Sequence, residues 1–320
     1  MSKIIESSLA PGGQEALIER RRDAPSLMIG SVELRFEPEG LDDFYENKAR
    51  EELRETDDVV AQGLEGLREL LKGETDLIVP AESDEYLYRF LRPCKWYPES
   101  AFELMKRFYG FRKSHRHICD GLAPSNERKV LESGIITPLP RRCSNGVRLM
   151  LIEGGRKWKP REVTLEEILK GVILSLQAAM AEPKTQVCGV RVILDMAGLS
   201  LSHVTHFTPS FARTVLEWVQ RCMPCRLKGV HVINQPYVFN MVFALFKPFL
   251  QEKLRKRIHF HGTDRNSLLE HIDAKALPDR YGGDLEIPDE PVGTALWNYF
   301  CTFEEDFEES NKYGYVGKSV

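Results

Sequence analysis

The residues best suited to binding a charged ligand are basic and lie between positions 226 and 257. This stretch holds seven Lys or Arg residues and one acid, Glu252. Arg226 and Lys228 are two apart in a β-branched run, which predicts that they point to the same side of a strand. Lys253 and Arg257 are four apart, which predicts that they share one face of a helix. Four such cations indicate an anionic partner, such as the headgroup layer of a membrane.

Other residues with catalytic or metal-binding potential lack the partners that such chemistry needs. Cys222 and Cys225 form a CxxC pair just before a predicted strand, without a second pair of metal ligands. Asp195 and His203 are not accompanied by a GxSxG nucleophile elbow, and there is no Walker A loop, GxGxxG or HExxH motif. Four further histidines are interpreted as structural: His231, His259, His261 and His271. We therefore expect no enzyme activity, no catalytic cofactor and no metal site.

Composition narrows the class of partner and the compartment. The net charge of −4 gives no reason to expect nucleic acid as a partner. Seven scattered cysteines and no export signal at the N-terminus predict reduced thiols in the cytoplasm, and Ser2 excludes the myristoylation pattern. No apolar run reaches the ~18 residues of a membrane span. The chain is expected to touch a membrane without crossing it.

The pattern of apolar residues predicts four successive parts of the chain. Residues 1–40 are rich in Gly, Pro and charge and are expected to be a loosely ordered lead-in. Residues 41–120 show helical periodicity and are expected to form a small all-helical domain. Residues 121–285 alternate short strands with helices, which predicts an α/β domain. Residues 286–320 are expected to form an acidic tail. The predicted strands are 147–152, 190–194 and 227–233, and the predicted helices between them are 165–180 and 209–222.

The segment 237–250 has the most unusual composition, YVFNMVFALFKPFL. Pro236 favours a helix start, and Phe239, Val242, Phe243, Phe246 and Leu250 would form one stripe; Met241, Ala244 and Leu245 would lie on the opposite side. One interpretation is a core helix that is buried on all sides. The other is a helix that covers a cavity, lines it with one side and enters a bilayer with the other.

At these residues the sequence resembles the CRAL-TRIO family of lipid-transfer proteins, in the subgroup of clavesin, cellular retinaldehyde-binding protein and α-tocopherol transfer protein. The resemblance runs from about Lys48 to Gly283 and depends on several motifs in order. The matching segments are YLYRFLRPCKW (86–96), the central strand region (175–210), RLKGVHVINQPYVFNMVFALFKPFLQEKLRKRIHFHG (226–262) and LPDRYGG (277–283).

This resemblance implies a helical N-terminal domain, a mixed sheet that floors a hydrophobic pocket, and a mobile gate helix. It implies that the pocket holds one hydrophobic lipid-like ligand and that a basic cleft binds phosphoinositides. The implied phosphoinositide-binding residues are Arg226, Lys228, Lys253 and Arg257. The implied pocket residues are Leu169, Val172, Ile173, Leu176, Val190, Val192, Leu194, Phe207, Val215, Trp218, Val219, Leu227, Val230, Phe239, Val242 and Leu245.

Three positions depart from the tocopherol protein and keep the ligand open. Val172 and Leu176 stand where that protein has Ser, and Trp218 stands where it has Val. The pocket should therefore have fewer polar partners and a different shape. Retinoid, tocopherol-like, carotenoid, other isoprenoid and phospholipid ligands all remain possible at this point. The alternative function is a phosphoinositide-binding adaptor or sensor at endosomal or clathrin-coated membranes that delivers no lipid.

Overall fold

The computed structural model describes residues 21–316, and its N-terminal part is mostly helical. The helices carry one apolar face each, as Leu64, Leu67 and Leu71 do in α2 (Asp57–Lys72), and that face is buried. Ser83 caps the next helix by accepting a hydrogen bond from the Tyr86 N–H. The other elements of this part are β1 (Leu27–Ile29), β2 (Val32–Leu34), α1 (Asp43–Leu53), β3 (Leu77–Ile78), α3 (Asp84–Leu91), α4 (Pro98–Ser114) and α5 (Arg116–Cys119).

An α/β layer follows and supplies the central sheet. Its longest helix is α7, where Thr164 and Glu167 form a capping box that fixes the first residue. The elements are α6 (Arg128–Glu132), β4 (Ile136–Pro138), β5 (Arg148–Glu153), α7 (Leu165–Met180), α8 (Pro183–Cys188), β6 (Val190–Asp195), α9 (Leu201–Val204), α10 (Pro209–Glu217), β7 (Leu227–Ile233), α11 (Phe239–Phe246), α12 (Glu252–Arg255), β8 (Ile258–Gly262) and α13 (Arg265–Leu269).

The five strands β4 to β8 are hydrogen-bonded in chain order. Strand β4 is antiparallel to β5, whereas β5, β6, β7 and β8 run parallel. Parallel neighbours need crossover connections, and the intervening helices supply them. The predicted α/β fold with a mixed sheet is confirmed. Within residues 21–316, no helix combines the length and the apolar character that a bilayer span needs.

Both ends of the described chain are more ordered than we expected. Part of the predicted lead-in forms the β1–β2 hairpin, and Phe36 behind it is buried. The Phe36 N–H donates to the Tyr299 hydroxyl at 2.7 Å, and the two rings stack at 5.6 Å. The expectation of loose order over residues 21–40 is corrected because apolar side chains anchor this segment. Residues 1–20 of the predicted lead-in lie outside the described residues.

The predicted acidic tail forms two packed helices. These are α14 (Thr294–Cys301) and α15 (Glu304–Asn311), and strand β9 (Gly314–Tyr315) pairs with β3. Leu296 and Phe300 are fully buried, and Phe307 is buried among the acids of α15. The apolar residues between the acids pack onto the domain and leave most of the acids on the outer side. Residues 317–320 of the tail lie outside the described residues.

Candidate ligand cavity and basic cleft

An apolar cavity of about 280 Å³ lies between the central sheet and helices α7, α10 and α11. Strands β6 and β7 form its floor because alternate residues of a strand face the same side. Val192 and Val230 are paired neighbours on that floor. Helix α7 supplies a wall through Leu169 and Val172, and Phe243 of α11 closes the cavity from the other side.

The structure brings fourteen of the sixteen predicted pocket residues to the wall of this one cavity. They are Leu169, Val172, Leu176, Val190, Val192, Leu194, Phe207, Val215, Trp218, Val219, Leu227, Val230, Phe239 and Val242.

The other two predicted pocket residues, Ile173 and Leu245, do not line the cavity. Each residue follows or precedes a wall residue by one position, which turns its side chain about 100° around the helix. Ile173 is fully buried away from the cavity next to the wall residue Val172. Leu245 is half-buried and precedes the wall residue Phe246. Its place agrees with the helical periodicity of 237–250, which puts it opposite the apolar stripe.

Helix α11 covers the cavity with one face and presents the other to solvent. It is shorter than the predicted helix 237–250, because it begins at Phe239 and a 3₁₀ turn (Lys247–Phe249) containing Pro248 follows it. Met241 on its outer face is 52% exposed, and Tyr237 just before it is 90% exposed. The interpretation as a core helix buried on all sides is therefore wrong, whereas entry of the outer face into a bilayer stays a prediction.

Side-chain hydrogen bonds hold both ends of the cover. Asn234 precedes it with φ +52°, in the left-handed region that Asn tolerates, and its amide donates to Asp195 at 2.9 Å. At the other end Gln220 donates to the Phe249 carbonyl at 3.1 Å and accepts from the Gln251 N–H at 2.7 Å. Gln220 lies in a five-residue π-helix (Trp218–Cys222) that continues α10. The cover is thus a short helix fixed at two points.

The cavity can bind hydrocarbon but offers little to a polar group. Among the described residues, no nitrogen or oxygen atom is exposed on its wall. The Trp158 indole N–H already donates to the Val163 carbonyl at 2.8 Å. An empty apolar cavity of this size would cost about 7 kcal/mol at ~24 cal/mol per Å³, a large share of a typical domain's stability. A bound apolar molecule would restore those lost contacts.

The basic cleft is built around a carboxylate from the helical part. Glu52 of α1 accepts from Arg226 Nη2 at 2.7 Å and from Lys228 Nζ at 2.9 Å through the same oxygen. Its other oxygen lies 3.2 Å from Lys48 Nζ. The Arg257 guanidinium donates to the Leu227 carbonyl, between the two strand cations. The structure thus brings three of the four predicted cations together.

The predicted helix face shared by Lys253 and Arg257 is wrong. Helix α12 has only four residues and ends at Arg255, so Arg257 lies in the turn before β8. Lys253 is exposed on α12. Among residues 21–316, Lys253 shares no hydrogen-bond or ion-pair partner with the other three cations.

Three surrounding cations keep Glu52 ionised. Burial alone would raise the pKa of Glu52, but the contacts with Lys228 and Arg226 lower it to about 2. Burial lowers the pKa of Lys228, although its contact with Glu52 acts in the opposite direction. The charged neighbours of the Glu52 carboxylate are cations, which favour its ionised form. Lys228 has one anionic neighbour, Glu52, but also lies near the cations Arg226 and Lys48, which disfavour its charged form. Glu52 therefore occupies the cleft as a permanent anion.

A histidine cluster lies on the sheet face opposite the cavity. His231 of β7 and His261 of β8 share a hydrogen bond of 3.0 Å between ring nitrogens. The ring of His259 stacks on His231, and that of His271 lies 4.3 Å from His259. Burial and these imidazoles, with Arg191 beside them, lower the pKa of His231 to about 3. In the part of the chain that the structure describes, no group of three ligating side chains could hold a metal ion.

Acidification is expected to destabilise the fold through His231. Its folded pKa lies below the ordinary value of about 6.5, so only the unfolded chain gains this proton between pH 6.5 and 3. This contribution to stability is therefore fully present well above pH 6.5 and is lost as the pH falls, and this residue alone should cost about 1.4 kcal/mol at pH 5.5. Chemical denaturation at pH 7.5 and 5.5 measures the loss. His231→Gln should reduce it, whereas His117→Gln on the exposed end of the helical part should not; equal losses would contradict the assignment.

The CxxC pair has the properties of buried thiols. Cys222 and Cys225 are free, and burial raises the pKa of each to about 12. Thiols with such pKa values are protonated at neutral pH and are poor nucleophiles and metal ligands.

Sequence reasoning left several wall residues out of the predicted pocket. Met150 and Ile152 on β5 face the cavity, and the alternation of that strand could have identified them. Phe243 and Phe246 belonged to the apolar stripe of 237–250 but not to the predicted pocket. No sequence pattern indicated that Glu52 belongs to the basic cleft, because only the tertiary fold brings it beside Arg226, 174 residues away in sequence.

Comparison with known proteins identifies the family. The model of the CRAL/TRIO domain matches residues 132–283, which contain all strands of the central sheet. The mouse "Alpha-tocopherol transfer protein-like" protein is 36% identical over 261 residues, covering 81% of this chain and 75% of that protein. The chain belongs to the CRAL-TRIO family. Rat Clavesin-1 is 30% identical over 268 residues, covering 83% of this chain and 74% of that protein.

Family membership confirms the resemblance that the sequence motifs indicated, and it makes this chain a member of a lipid-binding family. The human "Alpha-tocopherol transfer protein-like" protein is 34% identical over 259 residues, with 81% of this chain and 74% of that protein covered. The crystal structure of Sfh5 aligns with a TM-score of 0.43 at 16% identity, over 76% of this chain and 96% of that chain.

Proposed function

We propose that this CRAL-TRIO protein encloses one hydrophobic, lipid-like molecule and transfers it at phosphoinositide-containing membranes. The observation that carries the proposal is the apolar cavity of about 280 Å³ beneath α11. Each CH₂ group buried there contributes about 0.8 kcal/mol. A wall without exposed polar atoms favours an isoprenoid such as a retinoid, a carotenoid or a tocopherol-like molecule over a ligand with a large polar headgroup inside.

Two surface features support docking at a membrane. Leu201, Tyr237 and Met241 are 65%, 90% and 52% exposed, around the cover of the cavity. The clustered cations Arg226, Lys228 and Arg257 would meet phosphoinositide headgroups, and at about 1 kcal/mol each they give about 3 kcal/mol. That energy suits reversible binding at the cytoplasmic face of endosomal or other phosphoinositide-rich membranes. Movement of α11 would then open the cavity for exchange.

Lipid extraction and a transfer assay test this proposal. An organic extract of the purified protein should yield one dominant hydrophobic lipid by mass spectrometry, close to one per chain. The protein should accelerate the movement of that lipid from donor vesicles to acceptor vesicles that contain phosphoinositide. Folded protein without extractable lipid would contradict the carrier function. Bound lipid without accelerated movement would favour the adaptor or sensor.

Releasing the end of the cover is expected to speed exchange. Gln220→Ala removes both hydrogen bonds that tie the segment after α11 to the π-helix. Each such bond contributes about 1 kcal/mol, so the off-rate of bound lipid should rise about five-fold or more. Stopped-flow transfer to excess acceptor vesicles measures this rate. Gln62→Ala, at an exposed position on α2 away from the cavity, is the control; an unchanged rate in Gln220→Ala would show that the cover does not limit exchange.

A further inference from the structure

A second, smaller cavity lies where the helical part meets the C-terminal helices. Its volume is about 80 Å³, and its wall comes from helices α3, α4, α7 and α15 and from the chain before β1. Leu176, Trp218 and Met223 line both this cavity and the apolar ligand cavity. The two spaces therefore share one wall but differ in their charged residues.

Three arginines line the second cavity: Arg21, Arg89 and Arg112. The lining acids are Asp306, which pairs with Arg21, and Glu182. Positive charge therefore predominates among the described residues of this wall.

Glu182 is unable to neutralise these arginines because other cations already hold it. Its carboxylate accepts from Arg148, lies 3.0 Å from Arg142 and also accepts from the Thr185 hydroxyl at 2.6 Å. These contacts hold the pKa of Glu182 below its ordinary value, although its burial acts in the opposite direction. Asp306 is thus the only lining carboxylate, among the described residues, that can offset the three guanidinium groups.

Arg89 is the least satisfied of these cations. Arg112 donates to the Asn311 side chain at 2.9 Å, whereas Arg89 has no hydrogen-bond or ion-pair partner among residues 21–316. Its Nε atom is buried without an acceptor, and so is the indole nitrogen of Trp218, a side chain that is 1% exposed. Burial and the nearby Arg21 lower the pKa of Arg89. A guanidinium whose buried Nε lacks an acceptor costs free energy that an anion would recover.

Two tyrosines add a further donor beside Arg89. The hydroxyls of Tyr86 and Tyr109 bond to each other, and both residues line the cavity. In such a pair one hydroxyl donates its hydrogen bond to the other, and the O–H of the accepting hydroxyl is not used in that bond. That proton is available to an oxygen atom of a ligand.

We infer that this cavity is a binding site for an oxyanion, a phosphate or a carboxylate group, held by Arg89 and Arg112. A guanidinium offers parallel N–H donors that match two oxygens of either group. The anion could be free in solution. It could equally be the head of an amphiphile whose chain lies beyond the shared wall, a form that rests on the proposed lipid-binding function, whereas the free-anion form does not.

Thermal unfolding and calorimetry of the full chain test this inference. The unfolding midpoint should rise saturably with sodium phosphate and should not rise with sodium chloride at the same ionic strength. Calorimetric titration with oleate and with oleyl alcohol tests the head of an amphiphile, because the two probes share a chain and differ in the carboxylate. Arg89→Gln and Arg112→Gln remove the proposed donors one at a time. Arg161→Gln, an exposed arginine that lines neither cavity, is the control.

Each outcome decides the matter. A phosphate response that weakens at least ten-fold in both donor variants, and not in Arg161→Gln, supports a free-anion site. Oleate binding that weakens at least ten-fold in the donor variants, while oleyl alcohol binding does not, supports the head of an amphiphile. If neither probe gives a response that depends on Arg89 in folded protein, the inference is overturned. A higher unfolding midpoint for Arg89→Gln in every buffer would also overturn it, because that result marks an uncompensated charge.

Discussion

Replacing Glu52 by Gln is expected to increase the affinity of the protein for vesicles that contain phosphatidylinositol bisphosphate by about five-fold. In the structure a Glu52 oxygen bonds to both Arg226 and Lys228 and so occupies the place that a headgroup phosphate oxygen would take. The pKa of about 2 means that this competitor stays charged at every physiological pH. Gln keeps the shape and removes the charge. Vesicle sedimentation at low and high salt measures the effect, which salt should diminish.

The neighbouring exposed acid supplies the control for this prediction. Glu51→Gln makes the same change of charge one residue earlier on α1, where no cleft cation is bonded. It should leave vesicle binding nearly unchanged. Replacing Arg226 and Lys228 by Ala should weaken vesicle binding and leave the extractable lipid intact. Equal or weaker binding by Glu52→Gln would show that the carboxylate does not compete with the headgroup.

The basic cleft shows what local sequence can and cannot predict. Arg226 and Lys228 could be assigned to one side of a strand because strand periodicity is a property of adjacent residues. The prediction that Lys253 and Arg257 share one face of a helix is wrong, because the four-residue helix α12 ends before Arg257. Glu52 could not be predicted, since its role depends on how α1 docks against β7. Long-range electrostatic partners require the tertiary fold.

The apolar cavity was predictable to a greater extent, because its walls follow regular periods. Leu169, Val172 and Leu176 fit the helical repeat, and Val190 and Val192 fit the strand repeat. The same periods would fit a solid core equally well, so only the family resemblance distinguished a cavity from a packed interior. The degree of order at the two ends of the described chain could not be predicted, because a composition rich in Gly, Pro or acids does not show where isolated aromatic residues will pack.

The shared wall of the two cavities links these observations to the energetics of binding. An empty apolar cavity raises the free energy of the folded state, and so does an arginine-lined cavity that holds no anion. Trp218 lies between them, and its ring centroid is 5.6 Å from that of Phe108 and 5.1 Å from that of Phe111 in the helical part. A ligand that shifts Trp218 would therefore change the wall of both cavities.

Filling the cavity from its floor is expected to have the largest effect of all. Val192→Trp places an indole at the centre of the sheet, where Val192 pairs with Met150 and Val230, and all three face the ligand space. The overlap with a bound chain should cost about 2 kcal/mol or more, which corresponds to at least a 30-fold loss of affinity. The amount of lipid extracted per mole of purified protein should fall accordingly.

The stability of the same variant separates blocked binding from misfolding. If the wild-type cavity is empty after delipidation, the indole fills apolar space and should leave the unfolding midpoint unchanged or higher. Val192→Ile is the matched control, because one added methylene should lower the lipid content little. Since an overpacked solid core would unfold at a lower temperature instead, the sign of this shift distinguishes a ligand space from a packed interior. A destabilised Val192→Trp that still carries a full complement of lipid would refute the position assigned to the ligand.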